Sequence, residues 1–113
     1  MKELRYLFTK VKCKLRHGNK ETISNYFRNA GMQIGNNCNI CCNIMTTEPY
    51  LVVIGNDVTI SGNVVFVTHD NCVAKIFGNG NDLYGMIHIG NNCFIGQNAI
   101  IMYGVRLPDN VIV

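Results

Sequence analysis

Ile89-Gly-Asn-Asn-Cys-Phe94, Ile95-Gly-Gln-Asn-Ala-Ile100, Ile101-Met-Tyr-Gly-Val-Arg106 and Leu107-Pro-Asp-Asn-Val-Ile112 are four consecutive sixes, and Val113 opens a fifth. An aliphatic residue begins each unit. A small or β-branched residue (Cys93, Ala99, Val105, Val111) stands four places later, with turn-formers in between. A helix repeats near 3.6 residues and a single strand at 2. A sustained period of six instead means a short strand, a corner and another short strand, over and over. Self-similarity at a fixed short period is the signature of a solenoid.

The same phase appears upstream. Ile34-Gly-Asn-Asn-Cys-Asn39 and Ile40-Cys-Cys-Asn-Ile-Met45 form a pair, and Ile54–Thr59, Ile60–Val65 and Phe66–Asn71 form a run of three. Three sixes make a coil of eighteen residues, a triangular prism with one strand per side. The first coil runs from Ile34, and its third side, Thr46 to Val53, holds eight residues, so two should bulge around Glu48-Pro49. The second coil is Ile54 to Asn71. Residues 72–88, including Gly78-Asn-Gly-Asn-Asp82, fit no six-fold phase and read as an excursion loop. The third coil is Ile89 to Arg106. A fourth begins at Leu107 and stops after one side, so the chain reads as truncated in its fourth coil.

This pattern resembles the hexapeptide-repeat acyltransferases, whose coils form a left-handed parallel β-helix. The resemblance covers residues 31–113. It is nearest to the sugar and polysaccharide O-acetyltransferases and the maltose and galactoside acetyltransferase-like enzymes. The expected fold is therefore an all-β solenoid, a left-handed parallel β-helix with an N-terminal α-helical cap. The hand comes from the resemblance, since the usual crossover rule favours the opposite one. Asn and Gly at the corners suit it, because they adopt left-handed backbone angles at little cost.

Residues 1–31 are the expected cap, ahead of a β-helix over 32–113. Leu4, Leu7, Phe8, Val11 and Leu15 recur at helical spacing among Lys and Arg. His17-Gly18-Asn19 breaks that helix, with His17 a polar residue at its C-terminus. Asn19 can cap a second helix from Lys20 to Ala30, with Ile23, Tyr26 and Phe27 on one face and Gly31 as terminator. A solenoid end exposes strand edges and core, and a helical cap remedies both. A membrane-surface or partner-docking role for the first helix is the competing reading.

Charge is uneven along the 113 residues. Residues 1–30 carry eight Lys or Arg against two acids, whereas residues 31–113 carry two against five. A basic N-terminus can meet an anionic surface or simply be a solvated face. No apolar run approaches the ~20 residues that span a bilayer, and residues 1–17 lack a signal-peptide core. Six Cys without an export signal point to reduced thiols in a cytoplasm. Cys38 and Cys41 have Cys-x-x-Cys spacing, with Cys42 adjacent, but no second ligand pair follows. Cys38 and Cys93 share the same small inward slot, which indicates packing.

His69 occupies the fourth place of its unit, a corner position, immediately before the excursion. A ring on a rigid corner beside a loop suits a general base. Thr68-His69-Asp70 before a long loop resembles the catalytic histidine segment of the hexapeptide acetyltransferases. In that family the histidine deprotonates an acceptor hydroxyl, which attacks the acetyl-CoA thioester. Coils stack at about 4.8 Å, so Glu48 falls roughly one coil below His69, where a carboxylate can orient the imidazole. Asp70 and Asp57 are alternative partners, Asp70 being the better turn residue. Thr-Glu-Pro-Tyr also resembles a segment of polysaccharide O-acetyltransferases.

One coil above His69 the matching corner is Gly104, which leaves space for a thiol or acetyl group. The resemblance implies coenzyme A binding between subunits through Phe94, Gln97, Ala99 and Gly104, and a homotrimer with three sites. His88 faces away from Ile87 and Ile89, as a surface residue. The γ-carbonic anhydrases share the fold and bind zinc through three His, but His69, His88 and His17 do not supply that set, so no metal is expected. No phosphate-cradling glycine motif and no aromatic-basic nucleic-acid platform is present. The implied activity is acetyl transfer from acetyl-CoA to a hydroxyl of a sugar or polysaccharide precursor. N-acetylation of an amino sugar and a non-catalytic, truncated assembly protein remain the alternatives.

Overall fold

The computed structural model describes residues 2–16, 18–78 and 80–113. His17, expected at a helix C-terminus, therefore lies outside the described residues. Two helices, α1 (Lys2–Leu15) and α2 (Glu21–Asn29), come first. Short strands follow: β1 (Gln33–Ile34), β2 (Asn39–Ile40), β3 (Val52–Ile54), β4 (Thr59–Ile60) and β5 (Val65–Val67). Then come β6 (His69–Asp70), a third helix α3 (Cys72–Phe77), β7 (Leu83–Tyr84), β8 (Ile87–Ile89), β9 (Phe94–Ile95), β10 (Ile100–Met102) and β11 (Arg106–Leu107).

The strands fall into three parallel ladders. One face is β1-β3-β8-β11 and a second is β2-β4-β9. The third joins β5 to β10, with Met45 bridged to Val65 beneath them. Parallel neighbours this short cannot be joined by hairpins. Each coil instead visits all three faces and returns one layer up, as the six-residue period requires. Every buried hexad opener (Ile40, Ile54, Ile60, Phe66, Ile89, Ile95, Ile101) belongs to one hydrophobic cluster, along with Cys38, Ile44, Val58, Val64 and Cys93. The Cys38 thiol is fully buried and donates to the Gly55 carbonyl at 3.2 Å, and Cys93 does the same to Pro108 at 3.2 Å. Burial pushes the Cys38 thiol pKa up, which fits a packing residue.

Corners are built from asparagine. Asn37, Asp57, Asn63, Asn92, Asn98 and Asn110 all adopt positive φ, between 53° and 64°. Asn and Asp visit that region far more readily than residues with longer side chains. The residue beforehand does a second job. Asn56, Asn91 and Asp109 each accept through Oδ1 from the backbone N–H of the coil below, at Asn36 (2.8 Å), Asn56 (2.8 Å) and Asn91 (2.7 Å). These ladders satisfy corner amides that no strand can pair.

The helices depart from expectation in two ways. Helix α2 spans Glu21–Asn29, with the Asn19 side chain accepting from the Glu21 N–H at 3.0 Å, so the cap lies one residue further out. Ile23 and Phe27 are buried against the first coil. In α1 the buried side chain is Tyr6, packed on Tyr26 and Phe27, whereas Leu4, Leu7, Phe8, Val11 and Leu15 are exposed. The excursion is not plain loop. It opens with α3, ended by Gly78 in the left-handed conformation, and closes by antiparallel pairing of β6 with β7. A helix of six residues is too short to leave a periodic signal.

Candidate active site

The third side of the first coil carries the expected bulge, a 3₁₀ turn over Pro49–Leu51 just after Glu48. Proline at the start of that turn tolerates the missing donor. The turn projects Glu48 over the corner that begins the excursion. There its Oε2 lies 2.8 Å from His69 Nδ1. The same oxygen accepts from Thr47 Oγ1 at 2.6 Å and from Thr68 Oγ1. Thr47 Oγ1 also lies 3.2 Å from His69 Nδ1. Thr68 itself is buried, so its hydroxyl is a fixed donor rather than a mobile surface group.

The electrostatics follow from these contacts. Hydrogen bonds from Thr47 and Thr68, with His69 adding to them, bring the Glu48 carboxyl down to about 2. The Glu48 carboxylate in turn raises the His69 imidazole above its ordinary 6.5. Glu48 is the more shielded partner, at 12% side-chain exposure against 31% for His69. A shielded acid beneath a partly open ring leaves the imidazole as the group that meets solvent.

Tyr84, on the returning strand of the excursion, stacks on the His69 ring with centroids 5.0 Å apart and planes 24° from parallel. The β6–β7 pairing sets His69 directly opposite Tyr84. Sequence reading missed this residue, because nothing in the period predicts where an excursion returns. It also missed Tyr103, whose phenol the nearby Asp70 carboxylate, with burial adding to it, pushes up to about 12. Asp70 also accepts from the Cys72 N–H at 3.0 Å, so it turns the chain and does not serve the ring. Asp57 lies on another edge, 2.5 Å from Asn37.

The other sequence-derived residues are dispersed. Gly104 is on the same prism edge as His69, but its stacked neighbours are Gly85 and Met86: its N–H donates to the Met86 carbonyl at 2.9 Å. The excursion's return fills the layer where His69 alone was expected. Space above Gly104 is open, with nothing within 4 Å of an added Cβ. Phe94 stands exposed on β9, and Gln97 is exposed at the next corner, over Gly62. Ala99 is partly buried, packed against the core. His88 is half-buried on β8 between Val53 and Arg106, not freely exposed. Among the described residues no group of three or more His, Cys, Asp or Glu is placed to hold a metal ion.

A groove of about 1040 Å³ runs from His69 between the helices and the β5 face. Phe8, Tyr26, Met45, Val67 and Thr68 line it. It is concave, largely apolar and has one imidazole at its end, the usual make-up of a ligand site.

Residues 86–113 match the family described as the hexapeptide repeat of succinyl-transferase. Protein CapG of Staphylococcus aureus is 46% identical over 108 residues, covering 76% of this chain and 62% of that protein. Galactoside O-acetyltransferase of Escherichia coli (strain K12) is 31% identical over 85 residues, covering 74% of this chain and 42% of that enzyme. The chain carries the hexapeptide repeat and is similar to an acetyltransferase over most of its length. A third relative, UDP-3-O-acylglucosamine N-acyltransferase of Dechloromonas aromatica (strain RCB), is 40% identical over 50 residues, 44% of this chain and 14% of that enzyme. The chain thus spans less than two thirds of each of these relatives. No solved structure matches it. Among the described residues no helix is long and apolar enough to cross a membrane.

Proposed function

We propose that the chain is the catalytic part of an acetyl-CoA-dependent O-acetyltransferase acting on a hydroxyl of a sugar or polysaccharide precursor. The observation that carries this reading is the Glu48–His69 pair, whose imidazole stands at the end of the groove. Glu48 on Nδ1 holds the ring in the tautomer that leaves Nε2 free to accept a proton. The acceptor hydroxyl gives its proton to Nε2 while its oxygen attacks the thioester carbonyl carbon. The carbon–sulfur bond then breaks, and the thiolate leaves with the proton that His69 returns. Glu48 offsets the positive charge that the ring carries in between.

Several features support the rest of the reading. The names of the galactoside and acylglucosamine relatives favour a sugar acceptor. We propose the left-handed winding common to such repeats, the division into residues 1–31 and 32–113, and a homotrimer. Exposed Met45, Ile100 and Met102 make the outer β5–β10 face apolar, a surface suited to a neighbouring subunit. Coenzyme A would lie in the groove between subunits, along Phe94, Gln97 and Gly104, with Ala99 contributing through its backbone. All six cysteines are free, which favours a reducing compartment such as the cytoplasm.

Labelled acetyl-CoA offered with a panel of sugars tests the activity directly. Transfer to a hydroxyl supports it; transfer only to amino sugars moves the reading to N-acetylation. Absence of saturable coenzyme A binding in calorimetry of a folded sample would refute it and leave an assembly role. The pH profile adds a second test. A base raised above 6.5 is neutral, hence active, only at higher pH, so kcat/KM should rise with pH through a midpoint above 6.5. Glu48→Gln removes the carboxylate, so that midpoint should move down. The same variant should lower kcat by roughly tenfold to a hundredfold, part of the ~10²–10⁴-fold that a general base contributes. Thr47 still reaches Nδ1 and limits the loss.

A further inference from the structure

Helix α1 leaves its most apolar side open to solvent. At 3.6 residues per turn, Leu4, Leu7, Phe8, Val11 and Leu15 share an arc of about 100°. Tyr6 and Cys13, which pack against the hydrophobic core, lie on the opposite side. The five stripe residues are between 50% and 77% exposed. An amphipathic helix in a water-soluble fold normally buries this face. Arg5, Lys12 and Arg16 border one flank of the stripe, and Lys10 and Lys14 the other; Glu3 is the lone acid of residues 2–16.

The molecule has a second apolar surface for comparison. The β5–β10 face exposes Met45, Ile100 and Met102 without a single basic residue on either strand. A surface of that kind suits another protein copy. The α1 stripe is rimmed by cations whose long stems can lie along the apolar surface while their heads reach outward. That combination matches the boundary between anionic headgroups and acyl chains.

We infer that α1 is a membrane-surface helix that lays its Leu4–Leu15 stripe into an anionic bilayer. The apolar side chains enter the acyl boundary, and the flanking Lys and Arg meet the headgroup charge. Phe8 and Arg5 also line the groove that ends at His69, so docking brings the mouth of that groove to the lipid surface. The helix lies on the membrane and does not cross it: fourteen residues rise about 21 Å, short of the ~30 Å hydrocarbon thickness.

The chain contains no Trp, so a Phe8→Trp variant reports on this helix alone. Its emission should shift to the blue on adding vesicles of phosphatidylglycerol and phosphatidylcholine, and the protein should sediment with them. Vesicles of phosphatidylcholine alone should bind far less, and raised salt should weaken binding. Leu7→Ser with Val11→Ser should lower partitioning by roughly tenfold or more per side chain. Lys12→Glu with Arg16→Glu should lower it by at least about fivefold per charge. Circular dichroism confirms that each variant is folded. Three results would overturn the inference: no vesicle binding at low salt, binding indifferent to Leu7→Ser and Val11→Ser, or a lipid-independent blue shift that grows with protein concentration. The last would mean that a second copy covers the stripe, and the serine variants would then lower the sedimenting mass.

Discussion

Replacing His69 by alanine should lower kcat by ~10²–10⁴-fold, the range a positioned general base contributes. The ring is 31% exposed and lies outside the core cluster, so its loss should leave the fold intact. Glu48 would keep its hydrogen bonds from Thr47 and Thr68 and remain ionised near neutrality. The KM for acetyl-CoA should change little, because the ring is proposed to contact the hydroxyl and not the nucleotide. The pH profile carries a signature that a structural role would not produce. In the parent, activity should climb with pH through a midpoint above 6.5; in the variant that limb should vanish, leaving a low plateau. Measured on one acceptor sugar with saturating acetyl-CoA, a kcat within a few-fold of the parent would remove His69 from the chemistry.

How far the chain itself disclosed this arrangement depends on whether its period was running. Within the repeats, the hexad phase placed Cys38 and Cys93 inside and the asparagines at corners, as found. It also placed Glu48 near His69, because a stacked solenoid converts sequence offset into height. Met45 does bridge Val65, twenty residues on. The period fails where the chain leaves it. Residues 72–88 return through Tyr84 and Gly85, and neither the Tyr84 stack on His69 nor the insertion of Gly85–Met86 beneath Gly104 follows from a count of six. Helix α1 shows another limit. Its apolar stripe was legible, but which side meets the protein was not, since a 3.6-residue pattern marks an apolar face without naming what covers it. Ala99, which resemblance alone implies as a coenzyme A contact, is partly buried against the core.

The second place of the hexad gives the largest expected effect on stability. Gly35, Gly55 and Gly90 stand there in successive layers, and each backs directly on the backbone of the layer above. A methyl on Gly55 would sit 2.9 Å from the Gly90 carbonyl carbon and 2.6 Å from Asn91 Oδ1, closer than real contacts allow. The neighbours are backbone and a laddered side chain, so nothing flexible can swing aside. Opening the gap would stretch the Gly55 N–H bond to the Ile89 carbonyl (2.9 Å) and the Asn56 N–H bond to Asn91 (2.8 Å). Alanine does have a countervailing benefit, because it restricts the unfolded chain by about 0.4–1 kcal/mol. Overpacking costs about 1–3 kcal/mol, occasionally more, and each weakened hydrogen bond adds about 1 kcal/mol. The clash wins, and Gly55→Ala should destabilise by about 3 kcal/mol. Gly62→Ala is the matched control. It lies in the same coil, lacks a positive φ, and its methyl would meet only Gln97, no closer than 3.9 Å, so its urea midpoint should stay near that of the parent. Equal midpoints for Gly55→Ala and Gly62→Ala would mean that the layers are not in backbone contact at this place, and the stacking that brings Glu48 to His69 would lose its basis.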